Sequence, residues 1–425
     1  MMWCPLPWTH LGVKNNGDLR MCSHSQSAGK GNTLLCNNNI ALTVDDLLST
    51  DVINCDTLKD VRRNMLKGKW PSQCKRCRDE SLAGTNSRDQ WETERHKDSF
   101  TKEMALSITD PDGTVSDCQW QDFDLRIGNE CNLRCVMCFA GEASKWFDVQ
   151  EEILGWNYFV VDGKKYDLAT SKQAFGWSKD KNNIDALIEN SKGLLKIKFG
   201  GGEPLLIKHH RHMLESLIAA GHASRMELEY SSNLTFFPSD LFTMWKHFKN
   251  IKICGSIDAV GSANEAIRYH TKWDTVVDNL RMLDQTDDHI QVFLSTTISI
   301  LSLEHYGNLL SWIMDQRYKK IRDTASHLVY NPKYLNIGLL DEFQLHRTIN
   351  AAKLTLAQYP TLMKKIDNYQ TMYQKIRIAD DEIMDQRVYF LRAWDNLQKN
   401  QKQDWNEIFP VAAMITNEWR NDHRE

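Results

Sequence analysis

The sequence predicts an α/β protein whose central part is a partial (β/α) barrel of six units. Between residues 123 and 340, short apolar or alternating runs are separated by stretches with helical periodicity. Strands that alternate with helices pair in parallel through right-handed crossovers. In a barrel of this type the active site lies at the C-terminal ends of the strands. A cysteine-rich segment precedes this part, and a segment with a helical pattern follows it.

The composition is that of an ordinary globular protein. The chain has 425 residues, of which 41% are hydrophobic and 25% are charged, and this balance excludes a disordered chain. The formal net charge of −4 gives no general basic field, so nucleic acid is not indicated as a partner. The sequence contains no run of about 18 apolar residues, the length that a membrane-spanning helix needs. Its first residues lack the features of a secretory signal. We therefore expect a cytoplasmic protein without a membrane partner.

Three segments are predicted along the chain. Residues 1–100 form a cysteine-rich domain, residues 118–340 form the barrel, and residues 341–425 form a helical C-terminal extension. Residues 141–192 are longer than a usual strand-to-helix connection, so they are interpreted as an insertion into the barrel. The insertion is either a decoration of the fold or a functional element, namely a lid or a substrate-recognition element.

Individual elements follow from local patterns. The Asn16-Gly17 pair predicts a hairpin over residues 13–19, and apolar spacing predicts a helix over residues 58–67. The cysteine-rich segment contains little apolar sequence, and a bound metal is a usual remedy for a small core. Another hairpin pattern covers residues 158–166. The six predicted strands of the barrel are 123–127, 195–199, 225–230, 251–257, 291–298 and 335–339. The predicted helices of the barrel include 208–220, 238–248, 273–283 and 304–317.

Cysteine spacing carries the strongest chemical signal. The chain has 11 cysteines, and clustered cysteines in a reducing compartment are more often metal ligands or reactive thiols than disulfides. Cys131, Cys135 and Cys138 form a C-x3-C-x2-C pattern directly after the first predicted strand. Three thiolates on one short loop can hold three irons of a [4Fe–4S] cluster. The fourth iron then keeps an open position, as a catalytic metal site requires. A structural zinc ion would need a fourth nearby ligand, and no histidine follows at once.

This pattern resembles the cysteine motif of the radical S-adenosylmethionine (radical SAM) superfamily. In that superfamily the motif follows the first strand of a partial TIM-like barrel. Further motifs resemble the family's GGE, Thr-Asn-Gly and Ser-Ile-Asp-Gly sequences and its cofactor-binding arginine. They follow the next three predicted strands in the expected order: Gly201-Gly202-Glu203, Ser232-Asn233, Ser256 with Asp258, and Arg268. The resemblance covers residues 123–340.

The resemblance implies that S-adenosylmethionine is a cofactor and that these motifs bind it. Glu203 and the preceding glycines would receive the ammonium group of the cofactor, and Arg268 would pair with its carboxylate. Ser256 would also hydrogen-bond to the cofactor. Asp258 would reach the ribose, or alternatively act as the N-cap of the next helix. Many family members carry an aromatic residue against the adenine just before the third cysteine. Here that residue is Met137, whose flexible apolar side chain can still pack on a base.

A second cysteine set lies near the N-terminus. Cys4 and Cys22 flank the predicted hairpin, and Cys74 and Cys77 form a C-x2-C pair. This set resembles the cysteine-ligated hairpin of twitch and SPASM extensions, which usually follow the barrel but here precede it. The resemblance implies a second, auxiliary iron–sulfur cluster, expected to be [4Fe–4S]. Two alternatives remain. Cys36 or Cys55 could be the ligand in place of Cys22, and a structural zinc ion could be bound in place of the cluster.

The resemblance implies an enzyme that cleaves S-adenosylmethionine reductively to a 5′-deoxyadenosyl radical, which abstracts hydrogen from a substrate. The expected substrate is a peptide or protein side chain, and the expected electron donor is a flavodoxin or ferredoxin. The alternatives are a thiol- or methyl-transferring radical SAM enzyme and an enzyme that acts on a sugar or nucleotide. A non-catalytic binding protein stabilised by metal is a further alternative.

Overall fold

The structure is a computed structural model, and it describes residues 2–25, 33–37, 39–82, 87–161 and 163–422. The strands are, in chain order, β1 (His10–Val13), β2 (Leu19–Arg20), β3 (Leu35–Cys36), β4 (Ile40–Ala41), β5 (Asp122–Arg126), β6 (Arg134–Cys135), β7 (Tyr158–Val161), β8 (Lys164–Asp167), β9 (Lys196–Gly200), β10 (Glu227–Ser232), β11 (Asn250–Ser256), β12 (Arg268–Tyr269), β13 (Ile290–Ile298) and β14 (Thr324–Leu328).

The α-helices are, in chain order, α1 (Leu6–Thr9), α2 (Asp56–Leu66), α3 (Lys75–Leu82), α4 (Arg88–Arg95), α5 (Lys102–Ile108), α6 (Gln150–Leu154), α7 (Lys181–Glu189), α8 (Lys208–Ala219), α9 (Ser239–Trp245), α10 (Ser262–Ile267), α11 (Trp273–Asp284), α12 (Ile300–Leu303), α13 (Tyr306–Gln316), α14 (Glu342–Leu354), α15 (Met363–Ile376), α16 (Asp380–Gln401), α17 (Trp405–Ile408) and α18 (Pro410–Asp422). In the described part of the chain, no helix has both the length and the apolar composition that a membrane crossing requires.

The chain divides into two compact units, and each is assembled from segments that are distant in sequence. The first unit consists of Met1–Glu130, Tyr158–Tyr230 and Pro238–Ile251. The second consists of Cys131–Asn157, Ser231–Phe237 and Lys252–Glu425. Residues 1–100 lie in the first unit and residues 341–425 lie in the second, whereas the predicted barrel contributes residues to both units.

In the first unit the strands are ordered β2-β1-β5-β9-β10. β1 and β2 pair antiparallel, with Val13 opposite Leu19, which confirms the predicted hairpin. β1 also pairs parallel with β5, and β5 and β10 each pair parallel with β9. All four residues of β1 are buried, as expected for a strand with neighbours on both edges and covered faces. The cysteine-rich segment therefore adds two strands beside the first predicted barrel strand. The sequence analysis predicted the hairpin but not its pairing with β5.

In the second unit the strands are ordered β11-β13-β14, and β13 pairs parallel with β14. The eight strands named in the two orders are mostly parallel, so the fold class is α/β, as predicted. The predicted strands 123–127, 195–199, 225–230, 251–257 and 291–298 are observed as β5, β9, β10, β11 and β13, with ends shifted by a few residues.

The sixth strand was predicted at the wrong place. Residues 335–339 form no strand: Leu335 ends the 3-10 turn Lys333–Leu335, and Asn336 connects it to a second 3-10 turn, Ile337–Leu339. The side chain of Asn336 accepts the backbone N–H of Gly338 at 2.8 Å, and a local side-chain bond of this kind competes with strand formation. The observed strand is β14, whose three central residues are exposed. It therefore lacks the alternation of buried and exposed residues that identifies a strand in a sequence.

The predicted helices and hairpins are confirmed. Helix α2 overlaps the predicted helix at 58–67, and α8, α9, α11 and α13 overlap the four helices predicted in the barrel, with ends shifted by up to three residues. Strands β7 and β8 pair antiparallel as the hairpin of the insertion, although Asp162 lies outside the described residues. After Asp341, which caps α14 through its side chain, the described chain consists of helices and their connections.

Candidate metal centres

The cysteine loop, residues 131–138, lies in the second unit and is held by a short antiparallel ladder. Its strand β6 pairs with β12, so that Cys135 lies opposite Arg268 and Arg134 lies opposite Tyr269. The backbone N–H of Cys131 donates to the hydroxyl of Ser144 at 3.3 Å. The ladder places a residue from a much later part of the chain directly beside the second cysteine of the motif.

Several N–H groups are directed at the sulfur atoms of this loop. The backbone N–H of Leu133 lies 3.4 Å from the Cys131 sulfur, and the side-chain amide of Asn233 lies 3.9 Å from the same atom. Nη1 of Arg268 lies 3.9 Å from the Cys135 sulfur. Hydrogen-bond donors and cations favour the thiolate over the thiol. The loop is therefore an environment for cysteines that act as anionic ligands.

Cys135 and Cys138 interact directly. The Cys138 thiol hydrogen-bonds to the Cys135 sulfur, and this bond, together with the Arg268 guanidinium, lowers the pKa of Cys135 below its ordinary value. The same bond and burial raise the pKa of Cys138. Metal binding to these two sulfurs would release the protons that the thiols carry in the metal-free protein.

Arg268 forms an ion pair with Asp258 in addition to facing Cys135. Its Nε lies 2.8 Å from Oδ2 of Asp258, whose side chain is 0% exposed. The other carboxylate oxygen of Asp258 accepts the backbone N–H of Thr297 at 2.7 Å. The N-cap alternative for Asp258 is wrong, because α10 begins at Ser262 with Gly261 at the N-cap position. Asp258 instead fixes the guanidinium of Arg268.

The remaining predicted residues of the second unit surround the same loop or lie at strand ends. Asn233 hydrogen-bonds to Asn132 at 2.8 Å besides its contact with Cys131. The hydroxyl of Ser232 accepts the backbone N–H of Leu234 at 3.1 Å and so stabilises the turn after β10. Ser256 ends β11 and is half-buried, as is Met137 in the cysteine loop.

The glycine motif lies in the first unit. The backbone N–H of Gly202 donates to Gly128 at 2.9 Å, and that of Glu203 donates to Glu130 at 2.8 Å. Gly201 has φ +112°, and a Cβ there would lie 2.3 Å from the carbonyl oxygen of Gly128. Only glycine fits this position. Glu203 is 0% exposed, and its Oε1 accepts the backbone N–H of Leu205 at 3.3 Å.

The sequence analysis missed one residue of the cysteine loop, Arg134, and one residue near it, Tyr334. The Arg134 guanidinium lies 4.8 Å from the ring centroid of Tyr269 and 5.7 Å from that of Trp146, and it hydrogen-bonds to Asn400 of α16. Tyr334 is 1% exposed, and burial and nearby Cys138 raise the pKa of its hydroxyl. The partners of both are distant in sequence, so no local pattern indicates their roles.

A second set of cysteines, the N-terminal centre, consists of Cys4, Cys22, Cys74 and Cys77. The four line one cavity in the first unit. Cys4 precedes α1, Cys22 follows β2, and the other two lie in the 3-10 turn before α3 and in α3 itself. Much of the rest of the lining is apolar and includes Met2, Leu6, Met21, Met65 and Trp70.

The four thiols of the N-terminal centre interact electrostatically. Burial, together with Cys22 and Cys74, raises the pKa of Cys4, and burial, with Cys22 and Cys77, raises the pKa of Cys74. Burial and Cys22 are also among the causes that raise the pKa of Cys77 to about 11. A bound metal ion would offset the repulsion between the deprotonated thiolates. Soft thiolate sets suit zinc and iron–sulfur clusters, so these residues fit either group.

The two cysteines considered as replacements for Cys22 interact with each other. Burial raises the pKa of Cys55 to about 11, and Cys36 contributes to this effect. The structure brings Cys22, rather than Cys36 or Cys55, into the cavity with Cys4, Cys74 and Cys77. His24 also lines this cavity; burial and the nearby Arg76 and Arg88 lower its pKa to about 3, so its imidazole is neutral. Sequence reasoning missed His24, although its position two residues after Cys22 was a signal.

A third group of metal-binding residue types consists of Glu92, His96 and Asp122, with donor atoms within 4.8 Å of one another. Arg95 already pairs with both carboxylates, at 2.7 Å to Glu92 and also in contact with Asp122. Its guanidinium supplies the positive charge that a metal ion would otherwise provide. We interpret this group as a structural ion-pair network.

No protein-family model and no curated protein match the sequence. Among solved structures, Streptococcus suis SuiB bound to precursor peptide SuiA matches with a TM-score of 0.36 and 12% identity, over 67% of this chain and 60% of that one. Native anSMEcpe with bound AdoMet matches with a TM-score of 0.37 and 11% identity, over 61% of this chain and 63% of that one. The chain thus covers less than two thirds of either structure. Similarity at this level is too weak to carry over an activity.

Proposed function

We propose that the chain is a radical SAM enzyme whose cysteine loop holds a [4Fe–4S] cluster. One observation carries the proposal, namely the N–H groups directed at the thiol sulfurs: Leu133 and Asn233 at Cys131, and Arg268 at Cys135. Cluster ligands must be deprotonated, and donors to sulfur stabilise the deprotonated state and tune the cluster. The residues of the loop therefore fit such a cluster.

In this proposal Cys131, Cys135 and Cys138 each bind one iron and leave the fourth iron to S-adenosylmethionine. When bound, the cluster and S-adenosylmethionine supply the reductive cleavage that gives methionine and a hydrogen-abstracting 5′-deoxyadenosyl radical. The chain binds and orients the cofactor. Arg268, held in one orientation by Asp258, would pair with its carboxylate, since an arginine presents its donors in a rigid fork.

The other cofactor contacts are assigned by motif. Glu203, with Gly201 and Gly202, would receive the ammonium group of the cofactor. Ser256 would hydrogen-bond to the cofactor, and Met137 would pack on its adenine. We assign Ser232 and Asn233 a supporting role, because their side chains hydrogen-bond within the turn after β10 and towards Cys131. The six strands β5, β9, β10, β11, β13 and β14 would form the partial (β/α)6 barrel of the radical SAM type.

The N-terminal centre would hold the auxiliary cluster, expected to be [4Fe–4S], through Cys4, Cys22, Cys74 and Cys77. The support for this assignment is that all four thiols line one cavity. The proposed substrate is a peptide or protein side chain, and the proposed external electron donor is a flavodoxin or ferredoxin. Both follow from the resemblance to radical SAM enzymes with twitch or SPASM extensions.

The test is cofactor cleavage by the protein reconstituted anaerobically with iron and sulfide. After reduction with dithionite, we expect methionine and 5′-deoxyadenosine to form from S-adenosylmethionine. Alanine at Cys131, Cys135 or Cys138 should abolish both products, because the cluster loses a ligand. The matched control is Cys254→Ala, a cysteine of the same unit outside both sets. Absence of both products from a parent protein with a loaded loop cluster would disprove the activity.

A further inference from the structure

His24 lies beside the N-terminal centre and has no role in the function proposed above. A donor atom of its imidazole, the sulfur of Cys77 and a carboxylate oxygen of Glu80 all lie within 4.8 Å of one another. His24 also lines the cavity that the four cysteines share. An imidazole is therefore close enough to Cys77 to bind a metal at the same position.

The contacts of His24 leave its Nδ1 nitrogen unsatisfied. Its Nδ1 is buried, and it has no hydrogen-bond partner among the described residues. Oε2 of Glu80 lies 4.0 Å from Nδ1, too far for a hydrogen bond. The carboxylate of Glu80 is instead engaged by Arg76, whose Nε lies 2.9 Å from Oε1. A buried imidazole nitrogen without a partner costs free energy, and a metal ion would satisfy it.

We propose that His24 and Cys77 are alternative ligands for one iron of the N-terminal centre. The proposal rests on the auxiliary cluster described under the proposed function. Imidazole is a common metal ligand, whereas the carboxylate of Glu80 is a harder ligand and is already paired with an arginine. Four cysteines and His24 thus give the centre five donors for four irons, and the duplicated donor is at the position of Cys77.

This arrangement has an electrochemical consequence. A neutral imidazole in place of a thiolate removes one negative charge from the ligand set. Replacement of cysteine by histidine ligands raises the reduction potential of iron–sulfur centres. We therefore expect a higher midpoint potential whenever His24, rather than Cys77, binds the iron.

The experiment compares full-length variants after anaerobic reconstitution, without S-adenosylmethionine. The three variants are Cys77→Ala, Cys77→Ala with His24→Ala, and Cys77→Ala with His247→Ala as the matched control. His247 is an exposed histidine of the same unit. Each protein is prepared with 15N-labelled and with unlabelled histidine, and the readouts are iron content and pulsed EPR of the reduced state. Isotope-sensitive coupling identifies a histidine nitrogen bound to iron.

Cys77→Ala should keep the iron content of the parent and show strong coupling to a histidine nitrogen. The added His24→Ala change should remove that coupling and lower the iron content, whereas His247→Ala should change neither. If Cys77→Ala shows no such coupling, or if the added His24→Ala change has no effect, the proposal is wrong. A Cys4→Ala variant tests the auxiliary cluster separately, because iron content insensitive to Cys4 would overturn the cluster itself.

Discussion

At the scale of single residues, the guanidinium of Arg268 lies between a thiol and a buried carboxylate. Nη1 faces the sulfur of Cys135 at 3.9 Å, and Nε lies 2.8 Å from Asp258. An arginine placed in this way would contribute to stability and, under the proposed function, to cofactor binding as well. Its removal would leave the buried carboxylate of Asp258 charged and without its cation, and that cost is separate from any loss of cofactor affinity.

Replacing Arg268 by alanine should therefore lower the free energy of unfolding by about 3–5 kcal/mol, the cost of breaking a buried ion pair at one partner. The double variant Arg268→Ala with Asp258→Asn should recover part of this loss, because no unpaired charge remains. Both are measured by denaturant unfolding at equal metal content. An equal loss in the single and double variants would contradict the prediction. Arg281→Ala is the control, since its pair with Asp278 is exposed and should contribute little.

At the scale of elements, the sequence predicted strands wherever the buried pattern is regular. β13 alternates buried and less buried residues over its whole length, and β10 does the same. The misplaced sixth strand shows the limit, because β14 is largely exposed and an apolar run nearby folds into turns. The short β1 was predicted only as part of a hairpin. Its parallel partner β5 lies more than a hundred residues later, and no local pattern reports such a pairing.

The docking of α18 gives an element-scale prediction about pH. The two carboxylate oxygens of Glu304 accept the backbone N–H groups of Val411 and Ala412 at 2.9 and 3.0 Å, at the start of the helix. Burial nevertheless raises the pKa of Glu304 from 4.5 to about 7. Because the folded state binds this proton more tightly than the unfolded state does, the contribution to stability is fully present below pH 4.5. It is lost as the pH rises to about 7.

The expected change is a fall of about 3 kcal/mol in the free energy of unfolding over this range. Glu304→Gln should remove this pH dependence, because an amide does not titrate. The measurement is denaturant unfolding of parent and variant between about pH 5 and about pH 8. The glutamine amide offers only one acceptor oxygen to the two N–H groups, so the variant also differs from the parent in absolute stability. The test is therefore the slope of the free energy of unfolding against pH. Parallel pH profiles for the two proteins would contradict the prediction.

At the scale of the whole molecule, the two cysteine sets lie in different units. Cys4, Cys22, Cys74 and Cys77 lie in the first unit, and Cys131, Cys135 and Cys138 lie in the second. The three cysteines of the loop and the pair Cys74 and Cys77 could be predicted from spacing, since C-x3-C-x2-C and C-x2-C are local patterns. Their surroundings could not, because Asp258, Arg134 and Tyr334 act through contacts that only the fold creates. Cys22 is an intermediate case: the hairpin identified it, but only the shared cavity distinguishes it from Cys36 and Cys55.

The last prediction concerns the metal content of the whole chain. Two [4Fe–4S] clusters would give about eight irons per chain after anaerobic reconstitution. Alanine at Cys131, Cys135 and Cys138 should reduce this to about four, and so should alanine at Cys4, Cys22, Cys74 and Cys77, because each set serves only its own cluster. The second variant should also have a less stable first unit, since a metal bound there would contribute to folding. Iron, zinc and acid-labile sulfide are counted in the same samples. About four irons and one zinc in the parent would show that the N-terminal centre is a structural zinc site, and only the loop cluster would then stand.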